Sequence, residues 1–271
     1  MNNISVVIVT FNNEKTIKTC LDSVTKYSPD SEIILVDNGS GDDTLKILRQ
    51  FDERAKIIKA EENLGFSKAN NLGVKESSGK YLVFLNPDAM LTQPYALDRL
   101  VEILEENNNL GIAGPRFVFP DGSIQPKVRN LPTVFQAFKE YILCIKGAYN
   151  FYEPKCVDVC EVESVNGACM VIDKDLFLKA GGFDEKYFMY FEDLALCRSV
   201  RELGYKVVFD HQVVIKHAEG VSGLGQRTKD YLQDSSKKYH GILAYYLIEL
   251  IFIPRRLLKK VQNLTSDYAH I

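Results

Sequence analysis

Residues 81–90 read YLVFLNPDAM, and this stretch decides the fold that we expect. Its first five residues, Tyr81 to Leu85, form an apolar run between turn-forming residues, which predicts a strand covered on both faces in a parallel sheet. Asp88 follows the carboxyl end of that strand, where open α/β sheets bind their ligands. A carboxylate there suits Mg²⁺ or Mn²⁺ shared with phosphates. The alternative for Asn86-Pro87-Asp88 is an Asx-type turn.

Three further strand–helix units precede this stretch. Their strand-like runs are residues 4–9, 33–36 and 55–59, each followed by a polar turn and by apolar residues at helical spacing. Four consecutive units predict right-handed crossovers and a doubly wound parallel sheet. Parallel strands end along one edge, so four polar or glycine residues are expected around one crevice. They are Thr10, Asp37, Gly65 and Asp88.

Two common nucleotide-binding patterns are missing from these turns. Neither the glycine-rich fingerprint of dinucleotide folds nor the phosphate loop that ends in Gly-Lys-Ser/Thr follows the first strand. A nucleotide site in this chain must therefore be built from polar side chains and single loop glycines.

The second half of the chain carries shorter and less regular signals. Apolar residues flank Pro120-Asp121-Gly122-Ser123, which predicts a hairpin, and residues 126–162 predict an irregular region beside the site. The strands predicted in this half are 111–114, 164–172 with Asn166-Gly167-Ala168 inside it, 206–209 and 213–216. A glycine within a strand, such as Gly167, indicates a close approach of ligand or backbone.

Two adjacent acids, Glu192 and Asp193, begin a predicted helix that ends at Gly204. Negative charge at a helix amino terminus stabilises the helix by about 0.3–1 kcal/mol, so capping is one explanation of the pair. Four aromatic residues in the five positions before the acids indicate a cleft wall and keep a catalytic role open.

His217 follows the last predicted strand. A lone histidine is more often structural than a ligand, but the polar residues that follow it, Glu219-Gly220 and Ser222-Gly223, keep a ligand role open.

The amino-acid composition and the net charge are those of an ordinary globular protein. The 271 residues are 46% hydrophobic and 25% charged with a formal net charge of -3, so nothing global indicates nucleic acid as a partner. Six cysteines are scattered, and Cys156 and Cys160 form the only close pair, which argues against a zinc site and favours free thiols in a reducing cytoplasm. The strand-like run at Ile4 leaves no room for a signal peptide before it, so we expect a cytoplasmic protein.

The composition shifts at Gly241. Residues 242–253 are apolar apart from Glu249, and Pro254 and a basic segment over 255–260 follow. Twelve residues are too few to span a bilayer, which needs about 20. They suit peripheral contact through 241–260 with the inner face of the plasma membrane. The alternatives are a helix packed on the domain or on a second copy of the chain, as in a homodimer.

Five motifs in this order resemble the inverting family-2 glycosyltransferases, and in particular their rhamnosyltransferase-like branch. The motifs lie at residues 6–12, 36–42, 62–73, 85–88 and 182–193, the last with Gly182-Phe183-Asp184-Glu185 and Glu192-Asp193. The resemblance implies an α/β GT-A fold: a doubly wound, mostly parallel central sheet with a smaller antiparallel portion and a C-terminal helical extension. It implies a GT-A domain over 1–236, with a nucleotide-binding half (1–114) and an acceptor and catalytic half (115–236), before an amphipathic extension (237–271).

The resemblance also implies where a donor would bind. Thr10, Asn12 and Asp37 would hold the nucleotide, with Asp37 accepting a hydrogen bond from the pyrimidine of a UDP- or dTDP-linked sugar. Gly65 and Asn70 would line the ribose and diphosphate.

Metal binding and catalysis are implied at three further places. Asp88 would hold Mg²⁺ or Mn²⁺, and His217 matches a position that completes the metal or diphosphate site. Asn86 stands in place of the first acid of the family's Asp-x-Asp motif, so the ion must draw more ligands from phosphate and water.

Asp193 matches the general base, and its neighbour Glu192 is the second candidate catalytic residue. Ala195 departs from the acid that the family often has there, which puts acceptor contacts in doubt.

The implied activity is inverting transfer of a sugar to a hydroxyl of a glycan or lipid-linked acceptor in surface polysaccharide synthesis. A sugar-nucleotide nucleotidyltransferase is one alternative, although residues 10–14 lack the glycine- and basic-rich loop of those enzymes. A non-catalytic protein that binds nucleotide sugars or glycans is the other.

Overall fold

The computed structural model describes residues 3–218 and 226–268, with side chains for 3–218 and 227–255. The strands are β1 (Ile4–Thr10), β2 (Glu32–Asp37), β3 (Ala55–Lys59), β4 (Tyr81–Leu85), β5 (Ala89–Leu91), β6 (Leu110–Val118), β7 (Val159–Val162), β8 (Cys169–Asp173) and β9 (Lys206–His217). The helices are α1 (Ile17–Tyr27), α2 (Thr44–Leu48), α3 (Gly65–Lys75), α4 (Ala96–Glu106), α5 (Val134–Tyr141), α6 (Lys174–Lys179), α7 (Glu192–Glu202), α8 (Gln226–His240) and α9 (Ile242–Tyr268).

These strands form one sheet in the order β3-β2-β1-β4-β8-β6-β9-β5, with β7 also paired to β9. The first four strands in that order are parallel to one another. Strand β8 runs antiparallel to β4 and β6, whereas β6 and β9 are parallel. The predicted fold, a mostly parallel α/β sheet with a smaller antiparallel portion, is confirmed.

Strand β4 is buried on both faces, as its apolar run predicts. Tyr81, Val83 and Leu85 pack in one hydrophobic core with α1 and α4, and Leu82 and Phe84 pack in the other with α6 and α7. On one side its neighbour belongs to the antiparallel portion of the sheet: β8 pairs antiparallel with β4, with Leu85 opposite Cys169.

Several predicted boundaries in the second half are wrong. The strand expected over 111–114 continues through Pro115 to Val118, because a register shift against β9 between Pro115 and Arg116 accommodates the proline. The two strands expected over 206–209 and 213–216 are the single strand β9.

The region from 126 to 168 also differs from expectation. Residues 126–162 contain α5 and β7, so this region is less irregular than predicted. Strand β8 begins only at Cys169, because Asn166-Gly167-Ala168 form an Asx turn in which Asn166 Oδ1 accepts the Ala168 N–H at 3.0 Å. The hairpin at Pro120-Asp121-Gly122-Ser123 is confirmed: the Phe119 N–H donates to the Ser123 carbonyl at 2.8 Å.

Cys156 and Cys160 form a disulfide, so the expectation of free thiols is wrong for this pair. The loop before β7 brings their Cα atoms to 6.3 Å. The remaining cysteines are unpaired: Cys20, Cys169 and Cys197 are buried and Cys144 is exposed.

Helix α9 forms the C-terminal extension and contains Pro254. One of its faces packs against α5, where Ile248 is buried beside Ala137 and Tyr149. For that face the alternative of a helix packed on the domain is confirmed. No helix among the described residues combines the length and apolarity needed to cross a bilayer. Residues 219–223, which the ligand argument for His217 used, lie outside the described residues, and the division at residue 236 stays a prediction.

Candidate functional site

The ends of β1 and β2 place two predicted residues side by side. Thr10 and Asp37 are paired in the parallel register, and both are fully buried. The Asp37 carboxylate accepts the Ser40 N–H at one oxygen, at 3.4 Å, whereas Oδ2 has no hydrogen-bond partner among the described residues. An unmatched buried carboxylate oxygen is costly, and this atom keeps an acceptor position that no described residue fills.

Asn12 joins the loops that follow these two strands. It has a left-handed backbone (φ 55°), its N–H donates to Ser40 Oγ at 3.1 Å, and its Oδ1 accepts the Gly41 N–H at 2.8 Å. Asparagine tolerates this backbone region better than most residues. The exposed Asn12 therefore shapes the rim next to Asp37.

Asn38, which lies within the motif at residues 36–42, connects β2 to the start of α3. Its amide donates to Asn63 Oδ1 at 2.9 Å and to the Gly65 carbonyl at 3.2 Å, and its Oδ1 accepts the Leu64 N–H at 2.8 Å. The nearby Asn70 is buried, and its amide donates to the Phe66 carbonyl within α3 at 2.9 Å. The role predicted for Asn70 toward a ligand stays a prediction.

Gly65 brings the first half of the chain against the segment that leads to the acids. Its φ is +81°, and a Cβ there would lie 2.4 Å from the Phe188 carbonyl oxygen. The neighbouring Phe66 N–H donates to that same oxygen at 2.7 Å. Only glycine permits both the backbone angle and this contact.

Asp88, which follows β4, meets His217, the last residue of β9. Their side chains are 7% and 5% exposed, and His217 Nε2 lies 3.2 Å from Asp88 Oδ1. His217 Nδ1 lies 3.0 Å from Gln125 Oε1, a partner that the sequence did not point to. Nε2 makes no hydrogen bond within the described part of the chain. With Nδ1–H donating to Gln125, the neutral ring carries its lone pair on Nε2, the nitrogen that lies 3.2 Å from Asp88 Oδ1.

This pair fits a divalent cation. A carboxylate oxygen and an imidazole nitrogen oriented by an amide oxygen are a usual arrangement of metal ligands. Among residues 3–218 and 227–255, no group of three or more His, Cys, Asp or Glu side chains could hold an ion. A cation at Asp88 would therefore take its remaining ligands from diphosphate and water.

The two acids begin α7 after an unusual backbone. Tyr190 and Phe191 both have left-handed φ angles, 72° and 70°, and no side chain caps the helix. Consecutive non-glycine residues in this region store strain, which is typical of functional sites. Glu192 is buried and its Oε2 has no partner among the described residues, so capping alone does not explain it.

Asp193 is held by backbone donors. Gly167 N–H donates to its Oδ2 at 3.1 Å and Leu194 N–H to its Oδ1 at 2.8 Å. Burial raises the pKa of Asp193, and the bonds from Gly167 and Leu194 and the charge of Arg129 act against that rise. Burial, and then the charge of Asp193, raise the pKa of Glu192 well above its ordinary value. Asp193 has the Gly167 and Leu194 N–H donors and a nearby cation, whereas the only donor to Glu192 that lowers its pKa is its own N–H, so Asp193 is the carboxylate that ionises first and Glu192 the one that keeps a proton.

The Asx turn before β8 connects the two aspartates. The Asn86 N–H donates to the Ala168 carbonyl at 2.9 Å, and the adjacent Gly167 donates to Asp193. A Cβ on Gly167 would lie 3.4 Å from the Asp193 Cβ, an ordinary van der Waals distance to a side chain, so the close approach of ligand or backbone expected at this glycine stays a prediction. Asp88 and Asp193 thus lie along the same edge of the sheet.

Arg129 is a site residue that the sequence did not indicate, because it lies in the segment of weak periodicity. Its guanidinium lies over the rings of Tyr149 (4.7 Å), Phe151 (5.7 Å) and Phe191 (5.8 Å). Its Nε–H donates to the Tyr149 carbonyl at 2.7 Å. This cation stands beside the residue that precedes the two acids.

Known proteins resemble this chain in sequence. The family model described as "Glycosyl transferase family 2" matches residues 5–178. An N-acetylglucosaminyl-diphospho-decaprenol L-rhamnosyltransferase from Mycobacterium tuberculosis is 26% identical over 78% of this chain and 74% of its own length. The O-antigen biosynthesis protein RfbC of Myxococcus xanthus is 26% identical over 81% of this chain but only 17% of its own length.

Two solved structures share the fold. TarS of S. aureus in complex with UDP superposes with a TM-score of 0.61 at 17% identity, covering 92% of this chain and 65% of that one. The mannosyltransferase PcManGT from Pyrobaculum calidifontis, in complex with GDP-Man and Mn²⁺, has a TM-score of 0.60 at 15% identity, covering 98% and 79%.

Proposed function

Because the chain belongs to glycosyl transferase family 2, we propose that it transfers a sugar from a nucleoside-diphosphate donor to an acceptor hydroxyl with inversion of configuration. The observation that carries the proposal is the Asx turn at Gly167, which ties Asp193 to the edge that holds Asp88 and Asp37. The relatives that act in rhamnosyl transfer and O-antigen biosynthesis support a glycan or lipid-linked acceptor in surface polysaccharide synthesis.

The donor nucleotide would bind at the ends of β1 and β2. The unmatched Oδ2 of Asp37 suits the N–H of a pyrimidine, so a UDP- or dTDP-linked sugar is the proposed donor. Asn12 and Thr10 would form the walls of this site, and Gly65 would admit the ribose and diphosphate close to the backbone. Asn86 would line the diphosphate side.

Asp88 and His217 would hold Mg²⁺ or Mn²⁺. When bound, the cation neutralises charge on the departing diphosphate. The chain's own contribution is a carboxylate oxygen and an imidazole nitrogen that are nearly buried and already adjacent, at 3.2 Å. PcManGT was solved with Mn²⁺, which supports the same class of ion here.

Asp193 would act as the general base. Its carboxylate takes the proton of the acceptor hydroxyl while that oxygen forms a bond to the anomeric carbon. The bond from this carbon to the diphosphate breaks, and the nucleoside diphosphate leaves from the opposite face. Protonated Glu192 leaves a single negative charge in the pair, and that charge stays on Asp193, which is the more exposed of the two acids.

A donor panel tests the proposed function. The full chain is incubated with UDP-, dTDP- and GDP-linked sugars, with and without Mn²⁺, and thermal stability and released nucleoside diphosphate are measured. We expect one pyrimidine donor to raise the melting temperature in the presence of metal, because ligand binding stabilises the native state. Slow release of its diphosphate is expected as well. Binding without release, even with pooled lipid and glycan acceptors, would refute the transferase and favour a non-catalytic binder.

A further inference from the structure

The packed helix pair α5 and α9 exposes an unusual amount of apolar side chain. On the α5 side, Phe135 and the following residues Leu143 and Ile145 are exposed. On α9, Ile242, Leu243 and Leu250 are exposed, with Leu243 at 76% and Leu250 at 60%. We call these six residues the α5–α9 platform. Exposed apolar residues in such a group mark an interaction surface, whereas single ones need no explanation.

The two sides of the platform belong to one packed unit. Tyr141 of α5 and Phe252 of α9 have ring centroids 4.5 Å apart, and Phe252 also packs on Tyr149 at 5.6 Å. Ile248 is buried between the same elements. The inner face of α9 is therefore already occupied by the domain, and the exposed apolar residues are a second face of the same helix. A helix that is apolar on nearly all sides but covered on only one needs another apolar environment.

Basic residues border the platform. Lys139 Nζ lies over the Phe135 ring at 4.5 Å, Arg255 over the Tyr141 ring at 5.1 Å, and Lys146 is exposed next to Ile145. Among the nearby acids, Glu140 turns inward and accepts the Tyr149 and Asn150 N–H groups at 2.6 and 2.9 Å, and Glu249 is half-buried.

We propose that the α5–α9 platform docks on an anionic lipid bilayer, with its apolar side chains in the headgroup region and its basic border on lipid phosphates. Segments that bind at a membrane interface combine apolar residues with flanking lysine and arginine residues. A second copy of the chain is a poorer occupant, because a two-fold contact brings the same surface together and would place like charges near each other.

The platform lies on the acceptor side of the candidate site. Tyr149 packs against α9, and its carbonyl accepts a hydrogen bond from Arg129, whose guanidinium lies over Phe191 immediately before the two acids. Docking through α5 and α9 would therefore bring the Asp193 side of the sheet edge, rather than the Asp37 side, toward the membrane. This orientation rests on the proposed function and implies that the acceptor is a lipid-linked hydroxyl compound. The docking surface itself does not rest on it.

Vesicle flotation tests the docking. The full chain is mixed with vesicles of phosphatidylcholine alone, or of phosphatidylcholine with phosphatidylglycerol, at low and high salt. We expect binding to the anionic vesicles that weakens as NaCl is raised from about 0.1 M to about 0.5 M, because salt screens the basic border. The double variant Leu243→Asp/Leu250→Asp should lower the partition coefficient by at least about tenfold, because two carboxylates replace the side chains that enter the interface.

A matched control uses Leu178→Asp on α6, whose side chain is 57% exposed but lies outside the platform. This variant should bind vesicles like the wild type. Circular dichroism melts check that both variants fold, and Lys146→Glu gives a second, milder test by weakening binding to anionic vesicles alone.

Three results would overturn the docking proposal. In the first, the wild-type chain does not float with anionic vesicles. In the second, Leu178→Asp loses as much vesicle binding as the platform variant. In the third, light scattering shows a wild-type dimer that Leu243→Asp/Leu250→Asp dissociates, and the wild type does not bind vesicles. The last result would assign the surface to a second copy. Donor-induced thermal stabilisation should be unchanged in the platform variant, so failure of docking is distinguishable from failure of the proposed transferase activity.

Discussion

Replacing Asp193 with asparagine should abolish most turnover and spare donor binding. Both carboxylate oxygens accept backbone N–H groups, from Gly167 at 3.1 Å and Leu194 at 2.8 Å. Asparagine has nearly the same shape but offers one acceptor instead of two, and it cannot take up the acceptor's proton. Loss of a general base lowers the rate by about 10²–10⁴-fold, which corresponds to about 3–5 kcal/mol of activation free energy.

The assay separates this chemical role from a structural one. Release of nucleoside diphosphate is followed at saturating donor with varied acceptor, and donor affinity is measured by calorimetry. Asp175→Asn is the matched control, because Asp175 is also an acid in the first turn of a helix, α6, but is exposed. It loses the same interaction with the helix amino terminus and should keep full turnover.

Two results would refute the reasoning about Asp193. One is turnover in Asp193→Asn within about threefold of wild type, since removing a base cannot be that mild. The other is an equal loss in Asp175→Asn, which would assign the effect to helix stability. A parallel fall in donor affinity would show that Asp193 acts on the donor rather than on the acceptor.

The other predictions concern the donor edge and the buried acid. Asp37→Asn should weaken binding of the pyrimidine donor by about tenfold with little change in kcat, as measured by calorimetry and initial rates. Asp88→Ala should remove the Mn²⁺-dependent rise in melting temperature; an unchanged response would place the ion elsewhere. Gly65→Ala should destabilise the fold by about 1–3 kcal/mol in urea unfolding, because its Cβ would meet the Phe188 carbonyl and its φ is +81°. A carboxyl group whose pKa is raised in the folded state contributes stability at pH values below its ordinary pKa, which is 4.5 for Glu192. This contribution is lost as the pH rises through the raised pKa. The melting temperature of Glu192→Gln relative to wild type should therefore increase from acid to neutral pH, and a constant difference would contradict the raised pKa.

Local patterns were sufficient to predict the first half of the fold. Each of β1 to β4 is a short apolar run that alternates between two cores, so its length and burial follow from its own residues. The start of α7 at Glu192 also followed from spacing. These elements place Thr10, Asp37, Gly65 and Asp88 at one edge, because parallel strands end together.

The parts that were mispredicted depend on contacts between distant residues. Pro115 reads as the end of a strand, but β6 continues past it because the register against β9 shifts at that point. Gln125 beside His217 and Arg129 beside Phe191 carry no local signal. The disulfide between Cys156 and Cys160 depends on the loop before β7, which spacing alone does not define. The apolar segment of α9 was evident in the sequence, but its packing against α5 was not.

The direction of one strand explains how the two candidate halves of the site meet. Had β8 been parallel to β4, the residues before it would lie at the opposite edge of the sheet, away from Asp88. Because β8 is antiparallel, with Leu85 opposite Cys169, the residues that precede it lie where β4 ends. The Gly167 N–H in this turn then reaches Asp193 at the start of α7. The antiparallel strand β8, inserted between β4 and β6, is therefore the feature that places Asp193, from the second half of the chain, at the sheet edge where β4 of the first half ends.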